Sequence, residues 1–176
     1  MAQKDFSLDL IKSAGLLKKV KRAGWVKKAG ITQECESVAD HSYRMAIIAM
    51  RLGLEQDLDV AKLVRMCLIH DLGESLIGDK MPEEKKSSKA HREEEDKVMR
   101  RMLENLPRKS GSVLLKDWHE LLNSKTKEAR LAWQIDKLEM TLQAEDYIRM
   151  GYDRKVLSEF RQKHFDQTLL KMLESY

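Results

Sequence analysis

The sequence predicts an all-α fold, a compact helical bundle, and three observations carry that reading. Only two prolines and eight glycines interrupt 176 residues rich in Leu, Lys, Glu, Met and Ala, which lose little on entering a helix. Apolar side chains recur at steps of three and four, the spacing that places them on one helical face. Period-2 runs of Val, Thr and aromatics, the mark of strands, are missing.

The elements follow in chain order. Ser7 is placed to cap a first helix whose stripe is Leu10, Ile11, Ala14 and Leu17. Residues 20–36 (VKRAGWVKKAGITQECE) are basic, hold two glycines and lack clear periodicity, so they read as a structured loop or a broken helix. Ser37-Val38-Ala39-Asp40 fits a capping box with a shorter acid in the Glu position. The helix it opens carries His41, Met45, Ile48 and Leu52 on one face. Asp57 or Asp59 starts the next helix, with Val60, Leu63, Val64, Cys67 and Leu68 in its stripe. Asp71 is the next member of that series, and His70 sits at its edge.

Gly73 and Gly78 bracket a turn-prone exit, and Pro82 marks a further break. Residues 83–104 form a charged helix with a solvated face, ending near Pro107. A loop around Ser110-Gly111 leads to a short helix over 113–122. Thr126 caps a long helix with Ala129, Trp133, Asp136, Met140 and Tyr147 as its stripe, and Gly151 ends it. Residues 153–176 supply a last amphipathic helix with Leu157, Phe160 and Leu169. No repeat or low-complexity linker divides the chain, so residues 1–176 are expected to form a single domain.

Apolar residues make up 42% and charged residues 35%, which suits a globular protein and argues against disorder. The net charge of +4 fits a partner carrying phosphate, yet 29 acids among 33 bases fit a plain solvated surface equally well. Cys35 and Cys67 lack metal-site or redox spacing and read as reduced thiols. With no signal-peptide pattern and no run long enough to span a bilayer, a cytoplasmic protein without a membrane partner is expected.

Three helices place a metal-ligand residue type where an apolar one belongs: His41, the pair His70-Asp71, and Asp136. Singly, each has an ordinary explanation, a hydrogen-bonded core histidine or an aspartate paired with arginine. Together they would need four separate rescues, because buried carboxylates are costly unless paired. One divalent cation satisfies all four. The mixed nitrogen and oxygen set suits Mn²⁺, Co²⁺, Fe²⁺, Ni²⁺ or Zn²⁺, and leaves coordination positions for water and substrate. Trp118 and Trp133 read as core residues, and His91, His119 and His164 as surface groups. Lys137 reads as a surface lysine with phosphate within its reach.

The series His41, His70-Asp71, Asp136 resembles the HD superfamily of metal-dependent phosphohydrolases. The surroundings ESVADHSYRMA (36–46), HDLGESLIGD (70–79), IDKLEM (135–140) and RAGW (22–25) are similar to its 5'-deoxynucleotidase branch, over about 10–152. The resemblance implies an HD-type bundle, a homodimer, and removal of phosphate from (deoxy)ribonucleoside 5'-monophosphates by a metal-bound water or hydroxide that attacks phosphorus. It assigns His41, His70, Asp71 and Asp136 to the principal metal. Glu74 and Asp79 would hold a second ion, Mg²⁺, or else Glu74 would protonate the leaving oxygen while Asp79 meets the sugar. Arg22 would orient phosphate, and Trp25 would pack against the sugar, although Ala23 and Gly24 separate it from Arg22 where bacterial members have none between. Two other readings stay open: an HD phosphohydrolase acting on a triphosphate, alarmone or cyclic nucleotide, and a basic helical nucleic-acid-binding module. The second rests on charge alone, so no nucleic-acid polymer is expected as partner.

Overall fold

A computed structural model describes residues 10–81, 88–162 and 164–176. The proposed Ser7 cap, the Pro82 break, the start of the charged helix at Glu83 and the His91 side chain lie outside what it describes. Ten α-helices are described: α1 (Leu10–Leu17), α2 (Ala23–Lys27), α3 (Val38–Glu55), α4 (Val60–Ile69), α5 (Glu74–Ile77), α6 (Ser88–Glu104), α7 (Arg108–Asn123), α8 (Lys127–Arg149), α9 (Arg154–Leu157) and α10 (Gln167–Glu174). The described residues contain no strand, only an isolated antiparallel bridge between Lys21 and Ser37.

The local signals act as the sequence implies. Ser37 Oγ accepts the Asp40 amide while the Asp40 carboxylate accepts the Ser37 amide, a complete capping box at the start of α3. Asp59, rather than Asp57, caps α4, and Thr126 caps α8. Gly151 ends α8 with φ +96°, where a residue without Cβ is at no disadvantage.

Helix α8 is the axis. It packs against α3, α4 and α7 and also meets α9 and α10, so side chains all round it are buried, not the single stripe the spacing indicates. Met45, Leu52, Leu63, Met66, Leu121, Ile135 and Leu138 share the main core. A smaller core of Trp25, Ile31, Cys35, Tyr147 and Leu157 fastens residues 22–35 to the far end of α8. Those residues prove to be a short helix within a structured loop, turning at Gly30 with φ +70°.

Two boundaries differ from the sequence reading. Residues Ser110 and Gly111 lie inside α7, which begins directly after Pro107. Gly111 is there for packing: a Cβ would sit 2.6 Å from the Leu103 carbonyl oxygen. Residues 153–176 are broken into α9, a 3₁₀ turn over Ser158–Phe160 and α10, with Asp166 capping the last. The break lets Phe160 close on Trp25 at a ring separation of 4.3 Å, and Gln162 donates its amide to Thr141 Oγ1 at 3.1 Å.

Gly111→Ala must drive a methyl group into backbone. The expected loss is about 1–3 kcal/mol of stability, read as a lower calorimetric Tm with the helical circular dichroism retained.

Candidate active site

Four elements deliver the inward polar residues to one place. His41, fully buried, projects from the first turn of α3. His70 is the C-cap of α4 and Asp71 opens the turn that follows, so the pair sits at a helix end, not within the helix. Glu74 lies in the first turn of α5 and Asp136 midway along α8, both buried.

Coordinating atoms of His41, His70 and Asp71 all lie within 4.8 Å of one another. His41 Nε2 is 3.3 Å from Asp136 Oδ1, and His70 Nε2 is 2.9 Å from Asp71 Oδ2. Both nitrogens are buried, yet neither has a hydrogen-bond partner in line. Ring nitrogens and carboxylate oxygens that crowd together without pointing at each other surround a position for a cation. The donor set of two imidazoles and two carboxylates suits a divalent metal. The rings are fixed from behind: His70 Nδ1 donates to the Cys67 carbonyl oxygen at 2.8 Å, and His41 Nδ1 meets Glu139 Oε2.

His70, Asp71, Glu74 and Asp136 line a cavity of about 840 Å³, a size usual for small-molecule sites, while His41 is fully buried beside them. Arg22 lines it and donates through Nη1 to Asp71 Oδ2 at 3.2 Å. Lys137 stands at its rim, exposed, with Nζ 2.9 Å from Asp136 Oδ2. Trp133 belongs only partly to the core: it lines the same cavity and stands edge-on to His70, while Trp118 is buried. His164 is exposed as expected, but His119 is half-buried, with Nε2 4.0 Å from Asp96 Oδ1.

Asp79 and Trp25 occupy positions that their residue types did not announce. Asp79 Oδ2 accepts the Ala23 amide at 2.6 Å and so caps α2 from a distance, since Arg22 at the N-cap position supplies no side-chain cap. Trp25 borders the cavity but is only 2% exposed, and its Nε1 donates to Glu36 Oε1 at 2.7 Å. The residues between Arg22 and Trp25 form the first turn of α2, which rotates the indole into the smaller core. Gly24 makes this possible, because a Cβ there would lie 2.8 Å from the Phe160 ring.

Sequence reading passed over Glu139, Arg44 and Glu36. Glu139 is fully buried, and Arg44 Nε donates to its Oε1 at 2.8 Å. A signal was present: Glu139 and Arg44 stand three residues after Asp136 and His41, on the same helix faces.

Electrostatics follow from this crowding. Burial and Arg22 lower the pKa of His41, but Glu139 and Asp136 outweigh them and raise it from 6.5 to about 9. Burial opposes ionisation of Asp71, yet His70, Arg22 and His41 hold it well below the usual carboxylate range. Asp136 is depressed likewise, against burial, by His41, Lys137 and His70. Burial, reinforced by Glu139, pushes Glu36 up to about 7.

A helical bundle with two imidazoles and two carboxylates converging beneath a cavity is the frame of an HD domain. The family model described as an HD domain matches residues 14–172, and the chain belongs to that family. More particularly, it is 34% identical to 5'-deoxynucleotidase HDDC2 of Dictyostelium discoideum over 168 residues, 92% of this chain and 87% of that protein. It is 36% identical to 5'-deoxynucleotidase HDDC2 of Homo sapiens over 155 residues, 87% of this chain and 74% of that one. Among solved structures, a conserved hypothetical protein from Pyrococcus furiosus matches with a TM-score of 0.75 and 33% identity, covering 94% of this chain and 95% of that chain.

The cation-free protein has a pH signature. A raised histidine pKa stabilises the fold fully below the ordinary value of 6.5, and that contribution is lost as pH rises through about 9. The depressed Asp71 and Asp136 contribute above their ordinary 3.8, and their contribution is lost as pH falls. Calorimetry of the chelator-treated chain is expected to show Tm highest between those limits, falling towards pH 9 and again in acid.

Proposed function

We propose that this chain is a divalent-cation-dependent phosphomonoester hydrolase acting on (deoxy)ribonucleoside 5'-monophosphates. The observation that carries this is the pair of buried, unaligned nitrogens, His41 Nε2 and His70 Nε2, converging with Asp71 at a cavity that His70, Asp71 and Arg22 line. The naming of the HDDC2 relatives as 5'-deoxynucleotidases supports the substrate class.

His41, His70, Asp71 and Asp136 would hold the cation, one of Mn²⁺, Co²⁺, Fe²⁺, Ni²⁺, Zn²⁺ or Mg²⁺. A cation so bound supplies Lewis-acid polarisation of phosphate and a lowered pKa for water. The chain's own residues do the rest. Without a cation, the floor carboxylates Asp71, Glu74 and Asp136 would repel a phosphate dianion; with their charge offset, the cavity accepts it. Arg22, permanently charged and held by Asp71, offers a planar fork to the phosphate oxygens. Glu74 lines the cavity, takes a proton from the attacking water as it adds to phosphorus, and passes that proton to the leaving 5'-oxygen as the P–O bond breaks. Asp79 reaches the sugar or, with Glu74, a second Mg²⁺, while its bond to Ala23 keeps the Arg22 loop in place. Trp25 closes the wall beside the sugar.

No described helix is long and apolar enough to cross a membrane, which accords with a cytoplasmic location. A homodimer is supported by α3, which exposes Tyr43 (67%), Ile47 (50%), Met50 (49%) and Leu54 (74%) along one face. Charging that face with Ile47→Glu is expected to convert a dimer to a monomer in sedimentation equilibrium, and a monomeric wild type would overturn the assembly.

Phosphate release from deoxynucleoside monophosphates should vanish on chelation and return with Mn²⁺ or Co²⁺. Arg22→Ala should lower kcat/KM by roughly 10²–10³-fold, as for loss of a charge-stabilising donor. Full activity after chelation, or no release from any monophosphate, would overturn the reading.

A further inference from the structure

What faces the Nδ1 atom of His41 decides whether Nε2 carries a lone pair or a proton. Nδ1 meets Glu139 Oε2 in a short contact, and the Glu139 carboxylate is fully buried. Its other oxygen, Oε1, accepts from Arg44 Nε at 2.8 Å. The same guanidinium donates to Gln143 Oε1 at 2.6 Å and to Asp146 Oδ2 at 2.7 Å. Residues 139, 143 and 146 are spaced by four and three, so one face of α8 grips a single arginine from α3. Glu139 is thereby fixed in both position and orientation.

Glu36, His41 and Glu139 also lie within 4.8 Å of one another through ligand-type atoms, the spacing of a second cation site. Two bonds argue against that use. Arg44 already supplies the positive charge facing Glu139, and Trp25 Nε1 donates to Glu36 Oε1. The cluster is a support, and its geometry is directed at His41.

We infer that Glu139, clamped by Arg44, is a positioning residue that keeps the ring proton of His41 on Nδ1 and so presents the Nε2 lone pair to a divalent cation. The inference rests on the cation-site reading proposed above. A carboxylate behind a ligating imidazole fixes its tautomer and raises its basicity. Arg44 adds a second requirement: it needs an oxygen from residue 139. In Glu139→Gln the amide oxygen stays with Arg44, the NH₂ group turns towards Nδ1, and the proton is displaced to Nε2, where the lone pair is required. His70 is insulated from this exchange because its Nδ1 donates to the Cys67 backbone carbonyl.

The test is Mn²⁺ binding to the chelator-treated full chain by titration calorimetry, with the visible spectrum of the Co²⁺-loaded protein as a second readout. Glu139→Gln is expected to weaken Mn²⁺ binding by roughly 10- to 100-fold and to alter the Co²⁺ bands. Glu139→Asp, which keeps the charge, should recover part of the affinity. A folded Glu139→Gln protein that binds Mn²⁺ as tightly as wild type, or loses only thermal stability, overturns the inference and leaves the cation site standing. If Glu139→Gln does not fold, wild-type affinity in Glu139→Asp overturns it. A wild-type chain that binds no Mn²⁺ removes the cation site and this inference together.

Discussion

The fold is organised around one unfavourable act, the enclosure of two imidazoles and two carboxylates, Asp136 buried and Asp71 nearly so, where α3, the end of α4 and α8 meet. Asp71 and Asp136 remain ionised against desolvation because favourable partners surround them: Arg22 and His70 beside the first, Lys137 and His41 beside the second. Such a cluster persists only if every member is held, since removing one partner leaves an uncompensated charge in a poor dielectric. That requirement explains the rigidity behind it. His70 is pinned to its own helix end, and His41 is backed by a carboxylate that an arginine holds in turn.

The second constraint is the attachment of the Arg22 loop. Its guanidinium must reach the site from a segment with little helical periodicity, so its position depends on ties to other elements. The Arg22 amide donates to the Glu36 carbonyl at 3.2 Å, the Ala23 amide to Asp79, and the Trp25 indole to Glu36. These ties couple the loop to α3 on one side and to the exit of α5 on the other. Phe160, brought in by the break after α9, seals the same loop against solvent. The smaller core therefore serves placement of the site as much as stability.

Much of the site was legible because burial breaks a rule that sequence makes visible. A histidine at 41 and an aspartate at 136 fall on faces otherwise apolar, and spacing alone shows that they point inward. The contacts that hold Asp79 and Trp25, and the place of Gly111 inside α7 rather than in a loop, are hidden from the local pattern for a common reason. Each is determined by a neighbour outside its own element: Asp79 by the Ala23 amide, Trp25 by Glu36, Gly111 by the Leu103 carbonyl. Glu139 and Arg44 were hidden among ordinary charged residues, since nothing local distinguishes a buried ion pair from a solvated one.

By itself, the sequence determined the helical class, the caps at Ser37 and Thr126, and the inward faces that carry His41 and Asp136, because these follow from backbone propensity and periodicity within single elements. Only the tertiary structure decided that His70 and Asp71 lie on a turn, that residues 153–176 break so that Phe160 can close on α2, and that Glu139 stands behind His41. Those outcomes depend on which surfaces meet, and a contact between residues a hundred positions apart leaves no mark in the local pattern of either.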